Sequence, residues 1–152
     1  MSQSKERLLL LEKEGRFVFH GSPISNIEEL EPRQAHTIPK GEKELVNDGN
    51  PAVAASPYVE IAIFRALIKI GRSAFGSDGE GNLYFEASQK ALDAAKTRVA
   101  YIYVLAKEDF VPKSGAPMMA MDWRSEKPAK PVEIIEIGYQ DLPNQIDIIE
   151  ED

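Results

Sequence analysis

The sequence contains no cysteine, only two histidines, and no apolar run long enough to cross a membrane. The absence of cysteine excludes a disulfide framework, a thiol nucleophile and a cysteine-bound metal. The two histidines, His20 and His36, are too few for a histidine-rich zinc cluster, so we expect no metal site. Residues 8–11 form an apolar run far shorter than the roughly 20 residues of a membrane-spanning helix. These absences predict a soluble cytoplasmic protein with no membrane partner.

Positive charge is also scarce. The chain carries 18 Lys and Arg residues against 25 Asp and Glu residues, which gives a formal net charge of −7. Proteins that bind nucleic acid mainly through its phosphates need a surplus of cations, so nucleic acid is not expected as a bulk electrostatic partner. The hydrophobic fraction of 43% and the length of 152 residues are typical of one globular domain covering residues 1–152.

A short apolar strand that ends in polar residues is the most informative part of the chain. Residues 17–19 (Phe-Val-Phe) predict a buried strand, and His20, Gly21, Ser22 and Pro23 follow it directly. Histidine can hydrogen-bond through either ring nitrogen, glycine lets a ligand approach the backbone, and serine adds a small donor and acceptor. The stretch therefore predicts either a ligand-binding strand end or a simple turn at a sheet edge.

Capping residues and apolar spacing predict three helices. The first covers residues 4–14, with Ser4 as its N-cap and Gly15 at its end. The third begins after its cap Ser88 and runs to about residue 97.

The second predicted helix, at residues 57–70, is expected to be the most buried. It follows a small-residue apolar strand at 51–56, with Ser56 as the N-cap and Pro57 at the first helical position. Its apolar face carries Phe64, so we expect that side of the helix to pack against the sheet.

The remaining segments predict strands and loops. Strands are expected at residues 83–85, 98–105, 132–137 and 145–149. The strand at 98–105 is apolar on both faces, which is typical of the centre of a sheet. Residues 76–82 predict a hairpin-type loop, and residues 36–51 predict a long polar loop that is either a solvated excursion or a lid. Strands outnumber helices without regular βαβ alternation, which predicts the α+β class.

Three motifs follow one another in a particular order. They are the His20-Gly21-Ser22 strand end, a loop of about thirty residues, and the small-residue strand that leads into a buried helix. This order resembles the ADP-ribosyltransferase-like superfamily. More narrowly, the chain resembles small bacterial and phage proteins of unassigned function. These share a His-Gly-Ser-Pro opening, a Glu-Pro-Arg-Gln-Ala segment (here 31–35) and an acidic-Trp-Arg-Ser element (here 122–125) before paired terminal strands.

The resemblance implies a fold, a substrate and a set of site residues. The fold is a split β-sheet sandwich with a few flanking helices, and the substrate is NAD. His20, Gly21 and Ser22 would hold the nicotinamide-side ribose and carboxamide. A carboxylate from a late strand would stabilise an oxocarbenium-like centre, with Asp122 as the first candidate and Glu126 as the second.

The chain departs from the superfamily at the second motif. The superfamily places a nicotinamide-stacking tyrosine there, whereas this chain has Val53 and Ala54. Phe64 matches a later aromatic position, and we expect it to form part of the ligand wall. Arg33 is the candidate contact for the pyrophosphate because a guanidinium fork suits phosphate oxygens, and a surface ion pair is its alternative role.

Three classes of function follow from these residues. The first is an enzyme that transfers ADP-ribose from NAD to an acceptor that the sequence does not identify. The second is a nucleotide-binding module of the same fold without turnover, which the missing tyrosine favours. The third is an interaction protein that shares only the fold. His36 is assigned no role in any of them.

Overall fold

The computed structural model describes residues 1–34, 36–37, 44–47, 49–78, 80, 82–113 and 121–151, with the backbone alone at 36–37. Its helices are α1 (Gln3–Lys13), α2 (Val59–Leu67) and α3 (Gln89–Ala95). Its strands are β1 (Phe17–Ser22), β2 (His36–Thr37), β3 (Val46–Asn47), β4 (Val53–Ala55), β5 (Ser73–Ser77), β6 (Leu83–Ser88), β7 (Val99–Ala106), β8 (Val111–Pro112), β9 (Trp123–Ser125), β10 (Glu133–Gly138) and β11 (Asp147–Ile149). This mixture of helices and sheets without regular alternation confirms the predicted α+β class.

The centre of the fold is an antiparallel sheet with the strand order β1-β7-β10. β7 is its middle strand, so its backbone is hydrogen-bonded on both sides. His20 of β1 lies opposite Tyr103 of β7, and Ile134 of β10 lies opposite the same tyrosine on the other side. The prediction that the strand beginning near residue 98 forms the centre of a sheet is confirmed.

β7 is apolar on both faces because two separate cores use its alternate residues. Ile102 and Val104 belong to the larger core, which α1, α2, α3, β6 and β10 complete. Tyr103 and Leu105 point to the opposite face and belong to a smaller core that includes Trp123 of β9. The central sheet is therefore covered on both sides.

A second sheet, β8-β9-β4, is attached to the central sheet through one pair of backbone hydrogen bonds. Phe19 N donates to Ser56 O at 2.7 Å, and Ser56 N donates to Phe19 O at 2.9 Å. β4 pairs with β9 on its other side, with Ala54 opposite Arg124. β4 therefore lies between β1 and β9, and this order decides which polar side chains meet.

The third sheet consists of a hairpin and the last strand of the chain. β5 and β6 are antiparallel and turn at residues 78–82, of which Gly79 and Gly81 lie outside the described residues. The predicted hairpin is confirmed, but Gly76 and Ser77, which were predicted as loop, belong to β5. β11 pairs in parallel with β6, whereas β10 pairs with β7. The expectation that the two terminal strands pair with each other is wrong, because each completes a different sheet.

The helix boundaries differ from those predicted because of contacts that are distant in sequence. α2 begins at Val59, not at Pro57, and the carboxylate of Glu12 in α1 accepts a hydrogen bond from Val59 N at 2.6 Å. The Ser56 hydroxyl instead accepts from Tyr58 N in the preceding turn. α1 begins after Ser2, whose hydroxyl accepts from Lys5 N at 3.1 Å, so Ser4 is not its cap. Ser88 is confirmed as the cap of α3.

The predicted loop at residues 36–51 contains a short antiparallel ladder, in which β2 pairs with β3. Residues 38–43 and Asp48 lie outside the described residues, as does the His36 side chain. Across the described ranges, none of the helices is long and apolar enough to span a membrane.

Candidate functional site

His20 lies near the end of β1, and one hydrogen bond fixes its ring. Nδ1 lies 2.6 Å from the carbonyl oxygen of Ala54 in β4. A carbonyl oxygen only accepts, so Nδ1 carries the proton and Nε2 of the neutral ring is an acceptor. The ring of Tyr103 stands edge-on beside it, with centroids 6.4 Å apart. Nε2 has no donor among the residues that the structure describes.

The surroundings of His20 favour this neutral form. Burial lowers the pKa of His20 below its ordinary value and outweighs the hydrogen bond to Ala54, which acts in the opposite direction. Arg65, Lys69 and Arg33 lower this pKa further because each cation repels an imidazolium. His20 is therefore an uncharged acceptor at pH 7.

The turn that follows β1 is held in place by hydroxyl groups. The buried Ser22 hydroxyl accepts from Ile24 N at 3.1 Å, which closes the turn directly after the strand. The Tyr103 hydroxyl donates to Ile24 O and accepts from Ile27 N, so a core residue anchors the same turn. Ser22 thus lines the same cavity as His20, and its hydroxyl oxygen is already an acceptor for the backbone amide of Ile24.

Gly21 allows α2 to approach the backbone of β1. A Cβ at this position would lie 2.5 Å from Cβ of Ala66 and 2.9 Å from the carbonyl oxygen of Ala62. No side chain fits at such distances. The sequence predicted that Gly21 lets a ligand approach the backbone. In the structure, α2 is the group that approaches the backbone at Gly21.

Two cavities meet at His20 and Ala54. The first, which we call the Arg33 cavity, has a volume of about 370 Å³. It is lined by His20, Ser22, Ile24, Ile27, Glu29, Leu30, Glu31, Arg33, Gln34, Ala52, Val53 and Ala54. The second, which we call the Arg65 cavity, has a volume of about 180 Å³. It is lined by Phe19, His20, Gly21, Ala54, Ala55, Ser56, Ala62, Arg65 and Lys69. The predicted cofactor contacts His20, Ser22 and Arg33 are therefore brought together in one cavity.

Three cationic side chains line the two cavities at His20. Across the described ranges, the side chains of Arg33, Arg65 and Lys69 form no ion pair, and Arg65 stacks on the ring of Phe75 with its guanidinium carbon 5.8 Å from the centroid. The surface ion pair that was the alternative role of Arg33 is therefore not formed with any of the described residues. Two carboxylates, Glu29 and Glu31, share the cavity of Arg33, whereas the Arg65 cavity has Arg65 and Lys69 alone as charged groups in its lining among the described residues.

Of the two predicted catalytic acids, Glu126 lines a third cavity, which we call the β9 cavity, and Asp122 pairs with Arg124 of its lining. This cavity has a volume of about 790 Å³ and includes Glu126, Arg124 and Asn50 in its lining. Asp122 forms an ion pair with Arg124 at 3.0 Å, and Glu126 accepts from the Asn50 amide at 3.2 Å.

Neither acid lines the Arg33 cavity or the Arg65 cavity. The expectation that Asp122 or Glu126 faces His20 across one cleft therefore needs correction. β4 separates the late strand from β1.

Phe64 is also placed differently from the expectation. Its side chain is only 1% exposed and packs between Phe75 and Phe85, with ring centroids at 6.0 and 5.1 Å. It lines neither cavity at His20. Phe64 therefore fills the core, and it does not form part of a ligand wall at His20.

Sequence reasoning gave no role to three charged residues that border His20. Glu29 and Glu31 line the Arg33 cavity, and Lys69 lines the Arg65 cavity. The proximity of both glutamates to Arg33 in the sequence was the available signal. Lys69 gave no comparable signal, because it falls at the end of a segment that was predicted to continue as helix.

The described residues contain no group of three or more His, Asp or Glu side chains that could hold a metal ion. Comparison with protein-family models, with curated proteins and with solved structures found no match.

Proposed function

We propose that this protein binds NAD at the junction of the Arg33 and Arg65 cavities. The observation that carries this proposal is the state of His20, which is neutral, fixed by Ala54 and left with an unused acceptor at Nε2. A ribose hydroxyl is a donor that suits such an acceptor. The cations on either side of His20 provide partners for a pyrophosphate, with Arg33 as the first candidate.

An ADP-ribosyltransferase-like fold is part of the same proposal. It is supported by a strand that ends in His-Gly-Ser, by its hydrogen bonds to the small-residue segment after β4, and by the buried helix α2 that follows. The sheets on either side of that helix are consistent with a split sheet. The proposed fold and the proposed ligand can be tested separately, since fold alone does not establish function.

The reaction that we propose for the bound NAD is transfer of ADP-ribose. The bond between nicotinamide and the ribose anomeric carbon breaks, and its electron pair leaves with nicotinamide. An acceptor nucleophile then forms a bond to the same carbon and loses its proton. Positive charge develops on the ribose during this exchange, so a nearby carboxylate would lower the barrier. Glu29 and Glu31 are the carboxylates that share a cavity with His20.

A second candidate function is nucleotide binding without transfer. The placement of the predicted acids favours it, because Asp122 is paired with Arg124 and Glu126 is bonded to Asn50 in the β9 cavity. The burial of Phe64 favours it as well. Among the described residues, Phe19 is the one phenylalanine, tyrosine or tryptophan that lines either cavity at His20, and it is only 1% exposed, so it cannot stack on nicotinamide.

Calorimetric titration with NAD, followed by measurement of released nicotinamide, tests both candidates. His20→Asn keeps an amide donor in the position of Nδ1 but removes the acceptor Nε2, so we expect a folded protein that no longer binds NAD. His20→Gln keeps an acceptor near Nε2 but loses the bond to Ala54, so it should retain weak binding. Binding accompanied by nicotinamide release supports transfer, and binding alone supports the second candidate. If NAD does not bind the unaltered protein, both are excluded and an interaction protein is the remaining class.

A further inference from the structure

The Arg65 cavity has a charge distribution that the NAD proposal does not require. Its lining contains two cations, Arg65 and Lys69, together with the neutral His20, and it contains no carboxylate. The chain as a whole has seven more acidic than basic side chains, so a cavity lined by cations alone is unusual for this protein. The proposed pyrophosphate contact, Arg33, lines the other cavity.

Lys69 lies at the C-terminal end of α2, close to other cations. It lies two residues beyond the last residue of α2, at the end where the helix carbonyl groups favour positive charge. Arg65 lies in the last turn, at the same end. Burial of the ammonium group and repulsion by Arg65 and Arg98 lower the pKa of Lys69, and across the described ranges no acidic side chain pairs with it. The Lys69 side chain is exposed to solvent, and its repulsion by the neighbouring cations is relieved when an anion binds beside them.

The shape of the cavity limits what the anion can be. Its volume of about 180 Å³ is small, and Gly21 of β1 is part of its lining. Ser56 is also in its lining, and its buried hydroxyl already accepts from Tyr58 N. A phosphate or pyrophosphate group matches this size and combination of cations better than a bulky organic anion does.

We propose that Arg65 and Lys69 form a phosphate-binding site in the Arg65 cavity, which takes the phosphate or pyrophosphate group of a small-molecule ligand. The site does not depend on NAD being that ligand. If NAD does bind at His20, Arg65 and Lys69 are the alternative to Arg33 as contacts of its pyrophosphate.

Titration of the full chain with inorganic pyrophosphate tests this site directly. We expect saturable binding that weakens by about tenfold or more in Lys69→Gln, because a hydrogen bond to a charged group is lost. Arg65→Gln should have a similar effect. Lys13→Gln is the matched control. Lys13 is an exposed lysine at the end of α1, so this substitution removes the same charge from a comparable helix position outside the cavity.

A second measurement uses the titration of Lys69 itself. Bound pyrophosphate should raise the pKa of Lys69 in NMR titrations of its side chain, and Lys13 should not respond. Absence of saturable pyrophosphate binding, or equal weakening in Lys13→Gln and Lys69→Gln, would overturn the site.

The same experiments separate this inference from the NAD proposal. Pyrophosphate binding that depends on Lys69, without any binding of NAD, supports the phosphate site and removes NAD as its ligand. NAD binding that is lost in His20→Asn but unchanged in both Lys69→Gln and Arg65→Gln, together with no Lys69-dependent binding of pyrophosphate, leaves the NAD proposal intact and overturns the phosphate site.

Discussion

The region around His20 and the region around β9 both contain arginines and carboxylates, but they use them differently. In the β9 region, Arg124 pairs with Asp122 and Glu126 bonds to Asn50. In the His20 region, Arg33, Arg65 and Lys69 surround a neutral histidine and form no ion pair with the described residues. Charges that are paired within the protein stabilise its own structure, whereas charges without such partners are available to a ligand. The comparison therefore supports the proposal that a ligand binds at His20 and that the acids at β9 stabilise the fold.

The largest expected effect concerns the backbone of the His20 region. Gly21→Ala would place a methyl group against Ala66 and against the Ala62 carbonyl, so β1 and α2 must separate. We expect a loss of about 3 kcal/mol in the free energy of unfolding, measured by chemical denaturation. Gly15→Ala is the control: it has a positive φ of 72° but no atom within 4 Å of the added methyl, so it should cost only about 1 kcal/mol. Equal losses in the two variants would show that α2 does not need to approach Gly21 closely.

Arg33→Ala separates binding from stability. If Arg33 contacts the pyrophosphate, NAD binding should weaken by about 1–3 kcal/mol in calorimetry, the range of a hydrogen bond to a charged group. The free energy of unfolding should change by less than about 0.5 kcal/mol, because the Arg33 side chain is exposed. An unchanged dissociation constant would assign the pyrophosphate to Arg65 and Lys69 alone.

Arg124→Gln should show the opposite pattern. Arg124 is partly buried beside Asp122, and its loss leaves that carboxylate without its ion-pair partner. We expect the free energy of unfolding to fall by about 1 kcal/mol, a value reduced for the exposure of Asp122 to solvent. NAD binding should remain within a factor of two of the unaltered protein. A large loss of NAD affinity in a folded Arg124→Gln variant would return the β9 acids to the ligand site.

The smallest expected effect is a pH dependence from His20. The pKa of His20 is lowered in the folded protein, so between that value and about 6.5 the unfolded chain binds more protons. The stability due to neutral His20 is therefore full above about pH 6.5 and decreases as the pH falls below it. His20→Asn should lack this decrease.

Glu12 also contributes to the pH dependence of stability, and its contribution must be distinguished from that of His20. Glu12 has its pKa raised by burial, so it contributes a loss of stability as the pH rises through the interval above its ordinary value. This contribution has the opposite sign and is common to both proteins. The difference between the unaltered protein and His20→Asn therefore isolates His20. Identical pH profiles would mean that His20 is not buried as a neutral ring.

The sequence predicted the parts of this fold that depend on local pattern. Two strands and a helix were identified from the apolar runs of β1 and β7 and from the apolar face of α2. Their hydrophobic periodicity can be read from neighbouring residues in the sequence. β5 was missed because Ser73 and Ala74 are exposed and carry no apolar alternation. The start of α2 was misplaced because its first amide is capped by Glu12, a residue 47 positions away.

The sequence predicted correctly the part of the candidate site that β1 provides, but not the residues that other elements were expected to add. His20, Ser22 and Arg33 do share a cavity, and the first two follow from a strand end that the sequence makes visible. The acids were assigned to the same cleft because the order of strands in space is not encoded locally. Phe64 was assigned to the wall because an apolar helix face gives no indication of which of its aromatic residues reaches a cavity and which fills the core.

The most direct test of the account is ¹⁵N NMR of the histidine side chains during titration with NAD. The chain has two histidines, so His36 provides an internal reference. In the free protein, the His20 ring should be neutral with its proton on Nδ1. Saturation with NAD should then shift the His20 Nε2 resonance as it accepts a hydrogen bond, while Nδ1 stays bonded to Ala54. NAD binding that leaves the Nε2 resonance unchanged, or a free protein in which Nε2 carries the proton, would contradict the account.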